Sequence, residues 1–389
     1  MRSPLKVYDI ELTVKGPLFV GDGQELKKKE YIKLKGSNKV VIPKLDRMYA
    51  DLCYMGKQRE YEKYMLTDNE MRLGDWIQNQ RIPDKYIDSW KDYELHAGDA
   101  IIDKNKTLQV MTCVKDAYGN PYIPGSSLKG MLRTILLTQD ICKNPGKFRK
   151  MKDEIETNIK RARKVNRTQF LNKEDKELEV ASFHSLRRKE NKRWEMVNDY
   201  MAGVIVSDSE PLFTDDLTLC QKVEYHVDGK EHRLNLLREC IKPNTKIHFQ
   251  LTIDTSIGKT DTRLNRLDEK EIMQAIANFS NLYYDVFVKK FRGLDIPSSN
   301  TVWLGGGVGY VSKTVLYALF GSDLGMDLVS KMFYLFEESD NHKNNDKKKH
   351  KNDNDTTKWG VSPHIYKMTQ FEGKRLPFGQ CEVKITKVR

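Results

Sequence analysis

The 389-residue chain lacks the features that would announce a membrane protein, a disulfide scaffold or a metalloenzyme. No apolar window approaches the length of a bilayer span, and the charged segment 1–6 has no apolar signal core, so the expectation is a cytoplasmic chain without a membrane partner. Only six cysteines occur, none in a C-x-x-C pair or beside a histidine at ligand spacing, which predicts reduced thiols and no metal site. Cys381 falls in phase with Val383 and Ile385, as a packing residue does. Nucleotide motifs are also missing. A phosphate-gripping loop starting at Gly307 would place Lys313 and Thr314 correctly but has Ser312 where its second glycine belongs. Gly125 and Gly130 have the right separation, but Met131 and Leu132 replace the lysine and hydroxyl residue, and a dinucleotide fingerprint would need glycine at Tyr310. No cofactor is expected. The eight histidines form no local catalytic pair, so no catalytic residue is assigned. His184, beside a basic run, and Asp22 or Asp46, as magnesium ligands, keep an endoribonuclease reading open against their ordinary roles in loops and turns.

Positive charge is what the chain has in excess. The net charge of +12 points to a polyanionic partner. Residues 143–193 hold 17 Lys or Arg against 8 Asp or Glu, an excess of nine, readable either as an RNA-contacting stretch or as a solvated insertion.

Two motifs carry more than charge. In Tyr118-Gly-Asn-Pro-Tyr-Ile-Pro-Gly-Ser-Ser-Leu-Lys-Gly-Met-Leu-Arg133, the prolines bar a helix before Gly125, and Ser126 or Ser127 is positioned to cap one that begins there. Leu128, Met131, Leu132, Ile135 and Leu136 keep the spacing of a buried helical face, while Lys129 and Arg133 share another face near the positive helix end, where an anion is favoured. Gly305, Gly306, Gly307 and Gly309 put four glycines into five residues, which lets backbone approach a ligand or another chain closely. Phe19, Tyr118, Tyr122 and Tyr310 flank the glycine turns and suit stacking of unpaired bases, or packing on a sheet. Lys374 and Arg375, near the last strand, could grip phosphate, as could Arg238.

Alternating residues predict strands over 8–14, 223–227, 247–253 and 380–388, with a short one near 201–208. Helical spacing appears over 268–291, helices are expected beyond the glycine cluster through about 338, and the mixed text of 44–90 reads as inserted helices. Polar residues 166–179 and 339–357 read as mobile. Strands out of strict alternation with helices predict an α+β fold rather than one doubly wound sheet. The boundaries expected are 1–200, with the helical insertion (about 44–100) and the basic stretch, and 201–389, with the glycine loop (305–310) and the polar loop (339–357).

These motifs together resemble the RAMP superfamily of CRISPR effector proteins. The resemblance rests on residues 120–134, on the glycine-bounded turn 16–23, on Leu237-Arg-Glu-Cys-Ile-Lys-Pro-Asn-Thr245 before a strand, and on residues 303–314. In that order they look most like the type III-A Csm-complex subunit that caps the filament at the crRNA 3′ end. The resemblance implies two ferredoxin-like, RRM-related halves that hold RNA by loops and helix starts. It implies that Gly21, Gly23, Tyr122, Ser126, Ser127, Lys129, Gly130 and Arg133 meet the guide backbone, together with Gly305, Gly306, Gly307, Gly309, Tyr310, Lys313, Lys374 and Arg375. The partners implied are crRNA, other RAMP subunits of the complex, target RNA indirectly and a host trimming nuclease. The role implied is structural, supporting crRNA maturation and antiviral defence.

Overall fold

In a computed structural model, the described residues are 4–388 except 34, 35, 37, 69, 70, 101–108, 187, 190, 191, 193, 258–261 and 342–354. The polar loop expected over 339–357 therefore lies mostly outside them.

The chain is α+β, and its organising element is a five-stranded antiparallel sheet drawn from both ends of the sequence. Strand β1 (Leu5–Val14) lies at its centre, paired on one side with β13 (Gln380–Lys387) and on the other with β9 (Lys246–Asp254). Beyond β9 runs the short β6 (Val204–Val206), and beyond β13 runs β10 (Thr301–Trp303). Strands on both sides of the expected 200/201 boundary thus share one sheet. Tyr8, Ile10, Leu12 and Val14 face the core, as their alternation predicts. Helices α5 (Gly125–Lys143) and α9 (Glu269–Val286) pack against each other and against this sheet's strands. Read as strand, helix, strand, strand, helix, strand, the elements β1, α5, β6, β9, α9 and β13 give the ferredoxin-like order with β1 and β9 inside.

The second sheet runs β12 (Lys374–Pro377), β11 (Ile365–Phe371), β7 (Leu217–His226), β8 (Glu231–Ile241), β5 (Gln109–Cys113), β2 (Gly21–Leu26). Gly229 closes the β7–β8 hairpin at φ 92°, a backbone state that Asp-Gly turns use freely. Helices α1 (Leu45–Tyr54), α2 (Gln58–Leu66), α3 (Leu73–Asn79) and α4 (Asp84–Trp90) form the expected insertion, with a separate core around Trp76 and Trp90. It is flanked by β3 (Lys39–Pro43) and β4 (Lys91–His96), which pair with each other. A buried network ties this insertion to the sheet: the fully enclosed Glu239 carboxylate accepts from Tyr93 Oη and Lys115 Nζ, each at 2.5 Å, and from the Cys113 amide at 2.9 Å.

The basic stretch is more ordered than its composition predicts. It forms α6 (Arg149–Arg161) and α7 (Asn172–Phe183), because Ile155, Ile159, Leu178 and Phe183 are buried among the remaining helices. Helix α10 (Leu316–Asn341), interrupted at Gly321, packs across α5, α6 and α9.

Candidate nucleic-acid interface

The glycine loop is seated on the turn that follows β1. The Gly306 amide donates to the Phe19 carbonyl at 2.7 Å, and a Cβ on Gly305 would stand 2.2 Å from that same oxygen. Gly305, Gly307 and Gly309 all have φ between 86° and 89°, so the loop is a succession of left-handed residues that side chains other than hydrogen rarely permit. Beneath Gly307 lies Arg238 of β8. Its guanidinium sits over the rings of Phe19 at 5.0 Å and Phe378 at 5.5 Å, and an added Cβ on Gly307 would meet Nη1 at 2.3 Å.

Arg238 is only 8% exposed, and neither its Nε nor its Nη1 has a hydrogen-bond partner among the described residues. Burying a guanidinium without a carboxylate is costly, and burial accordingly draws its pKa below the usual value. Three further cations surround it. Lys222 is aimed here from a β-bulge in β7 between Gln221 and Val223, and its pKa falls to about 8, first through burial and then through Lys367. Lys313, in the single turn after the glycine loop, is exposed and makes no ion pair with a described residue; burial of its surroundings and the Arg238 charge lower its pKa. Lys367 of β11 is paired with Glu224. Four cations thus meet one carboxylate. Such an excess of partly buried positive charge favours a further anion that the cluster itself does not supply.

A cleft of about 740 Å³ opens on the other side of Lys313, between α5, α7 and α10. Gly130 and Arg133 of the first motif line it together with Tyr310, Lys313 and Thr314 of the second. The two motifs, far apart in sequence, share one cleft.

The start of α5 does not offer the free anion site that its sequence predicts. The Pro121-to-Pro124 segment docks along the chain after β6, where the Ile123 amide donates to Ser209 Oγ at 2.9 Å. That brings Asp208 across, and its Oδ1 accepts from the Gly125 amide at 2.8 Å. A carboxylate of the chain itself therefore occupies the positive helix end. Ser126 and Ser127 do not cap, since Pro124 is the capping residue and makes no side-chain bond. Gly125 is required for packing instead, as a Cβ there would lie 2.3 Å from the Ser207 carbonyl.

Arg133 is likewise engaged within the chain. Its Nη1 donates to Asp199 at 2.8 Å, Nε and Nη2 fork onto Glu179 at 3.2 and 3.1 Å, and the plane lies 4.2 Å from the Phe183 ring centroid. Lys129 makes no such bond with a described residue, and burial lowers its pKa against the opposing effect of the Asp199 charge. Gly21 and Gly23 are exposed at the start of β2, Tyr122 is half-buried with its amide donating to the Val114 carbonyl at 3.3 Å, and the Tyr310 ring meets Phe333 edge to face at 5.3 Å. Lys374 and Arg375 stand on the β11–β12 hairpin, where Arg375 is paired with Glu231 at 2.7 Å and stacked on Tyr225. The ribonuclease candidates are not brought together as a pair. Asp22 Oδ1 is held by the Gln24 amide and Thr112 Oγ1, and His184 is buried in a bridge to Asp199. Among the described residues, no three His, Cys, Asp or Glu side chains gather as a metal-binding group, and no helix is long and apolar enough to cross a membrane.

Sequence reasoning missed Lys222 and Lys367, and it named Arg238 only as one of several options. A clue stood in β7, where Lys222 interrupts Leu219-Cys-Gln-Lys-Val223, a run whose other residues the strand buries.

Comparison with known proteins agrees with this architecture. The chain is 27% identical over 406 aligned positions, 99% of both chains, to the CRISPR system Cms protein Csm5 of Mycobacterium tuberculosis strain CDC 1551. It is 27% identical over 335 positions, 81% of this chain and 82% of the relative, to the protein of the same name from Streptococcus thermophilus. Its fold superposes on a chain of a Csm-crRNA-target RNA ternary complex of a type III-A system with a TM-score of 0.60, 18% identity and coverage of 97% and 100%. The crystal structure of T. onnurineus Csm5 gives 0.59, 18%, and coverage of 96% and 99%. The family model for the RAMP superfamily matches residues 11–312, so the chain belongs to the RAMP superfamily.

Proposed function

We propose that this protein is a non-catalytic subunit of a type III-A Csm effector complex that binds crRNA and caps the filament at the guide's 3′ end. The observation that carries the reading is Arg238, a buried guanidinium without a hydrogen-bonding partner at Nε or Nη1 among the described residues, set under a left-handed glycine loop and among Lys222, Lys313 and Lys367. An RNA backbone supplies the missing anions, while Gly305 and Gly307 let the loop close onto Phe19 and Arg238. The names of the relatives supply the complex; the geometry supplies the polyanion. Partners are crRNA and neighbouring RAMP subunits, with target RNA met through the guide and a trimming nuclease acting on the exposed 3′ end. Lys129, Ser126, Gly130 and the turn at Gly21 and Gly23 extend the contact surface, while Arg133 positions α7 rather than RNA.

The test is binding of guide RNA to the full chain across a salt series. Arg238→Met and Lys313→Ala should each lower affinity uniformly across sequences and flatten the salt slope by about one. The RNA should be recovered uncut, with or without magnesium. Parent-like affinity and slope in both variants would remove the glycine-loop site, and specific cleavage would replace the structural role with an enzymatic one.

A further inference from the structure

The cleft between α5, α7 and α10 has a lining that backbone binding does not use. Its aromatic wall is continuous: Tyr310 meets Phe333 at 5.3 Å, Phe333 meets Phe336 at 6.3 Å, and Phe336 meets Phe170 at 6.2 Å. All of these contacts are near perpendicular, so the rings do not cover one another's faces, and all four side chains remain partly open to solvent. One carboxylate faces the cleft without a partner. Asp175, in the first turn of α7, makes no side-chain hydrogen bond or ion pair with a described residue, whereas Glu179 beside it is taken up by Arg133. Asp175 is open to solvent in the cleft, yet the surrounding walls desolvate its carboxyl enough, with Glu179 and Glu174 reinforcing, to raise its pKa to about 6. At the mouth Lys313 continues the cation cluster of the glycine loop, and Arg167 lies over Phe336 at 5.6 Å.

A flat ring to stack on, a free two-oxygen acceptor and a cation at the rim are together the recognition elements for one nucleotide: base, base edge and phosphate. The volume is within the about 300–1,000 Å³ of small-ligand sites. We propose that this cleft holds a single guanine base of a single-stranded RNA, turned out from the strand whose backbone follows the glycine loop, with Asp175 as the residue that selects it. Guanine is the base whose Watson–Crick edge presents two adjacent N–H donors, N1 and N2, to match both oxygens of a carboxylate. Adenine offers one amino group beside an acceptor nitrogen that repels the carboxylate, and uracil and cytosine offer one donor each. The inference rests on the glycine loop binding RNA backbone, and it assigns a base pocket to that same site.

The test uses the full chain and short single-stranded oligonucleotides at pH 8, where Asp175 is ionised. Each carries one guanosine in an otherwise uridine strand, compared with uridine throughout. A good bidentate base contact discriminates by about 1–3 kcal/mol, so the guanosine strand should bind roughly tenfold more tightly in at least one register. Asp175→Asn should erase the preference while leaving affinity for the all-uridine strand unchanged. A thienoguanosine, a fluorescent guanosine analogue that keeps both the N1–H and N2–H donors, should in the preferred register lose fluorescence on binding, through stacking, and Phe333→Ala should restore it. Equal affinity for all strands, or a preference that survives Asp175→Asn, overturns the base pocket but leaves backbone binding standing. Binding of no strand overturns both.

Discussion

Arg133→Ala separates a structural strut from an RNA contact, two roles that the sequence of the α5 motif does not distinguish. The side chain of Asp199 is 4% exposed, and the Arg133 guanidinium is bonded to it, with the Lys129 charge nearby. Removing one partner from a buried ion pair costs about 3–5 kcal/mol. Asp199 keeps the Met201 amide at 2.8 Å, which sets the expected cost at the lower end, about 3 kcal/mol. Glu179 is 44% exposed, so its fork adds only about 0.5 kcal/mol, and the lost stacking on Phe183 adds about 1 kcal/mol more. The expected destabilisation is therefore about 4.5 kcal/mol. Urea unfolding followed by tryptophan fluorescence reads it as a midpoint lowered by about 1 M. Arg133→Lys retains the charge but loses the planar fork, and should fall about halfway. Below the unfolding transition, guide RNA affinity of both variants should stay within about twofold of the parent, since none of the broken contacts belongs to the glycine loop. A parent-like urea midpoint combined with RNA affinity lowered tenfold or more would refute this reasoning and make Arg133 a phosphate ligand.

Two further measurements bear on the site. Gly307 and Gly309 share a left-handed backbone, at φ 88° and 89°, but a Cβ on Gly307 meets Arg238 at 2.3 Å, whereas on Gly309 the nearest atom is Lys367 Cγ at 3.9 Å. Gly309→Ala should thus cost only the backbone strain, about 1–2 kcal/mol by urea unfolding, with RNA affinity within about threefold; Gly307→Ala should displace the guanidinium and lose at least about tenfold. Comparable RNA affinities in the two variants would detach Arg238 from binding. Asp175 titrates higher in the folded chain, at about 6, than in the unfolded one, so its stabilising contribution is fully present below about pH 4 and is lost as pH rises through 6. Asp175→Asn should therefore match the parent's urea midpoint near pH 4 and exceed it at pH 7.5, and a difference that does not change with pH would show that the carboxyl is not desolvated.

Elements whose pattern is local were legible in the sequence. The alternation of β1, β9 and β13, the face of α5 and the Asp228-Gly229 hairpin each depend on residues within a few positions of one another, and each stands where it was expected. What was not legible depended on pairing across the chain. The cap on Gly125 comes from Asp208, 83 positions on, and only the docking of the segment before α5 along β6 brings it there. The order in the polar stretch 166–179 escaped because α7 is stabilised by burial of Leu178, Val180 and Phe183 and not by its own amphipathic contrast.

The same distinction governs how the charge should be read. Counting basic residues located the excess in 143–193, yet part of it is neutralised from outside the stretch. Lys143 pairs with Glu271, Lys147 with Asp140 and Lys189 with Glu195, carboxylates that the count over 143–193 omits. The cations without enough carboxylates come instead from β7, β8, β11 and the turn after the glycine loop, one residue from each, where the local sequence looks unremarkably mixed. They gather because sheet register sets Cys220 opposite Arg238 and Glu224 opposite Lys367, and a bulge turns Lys222 toward both. A polyanion site in this fold is therefore a property of register. Shifting β11 by one residue against β7 would carry Lys367 to the opposite face and dissolve the site without changing the net charge.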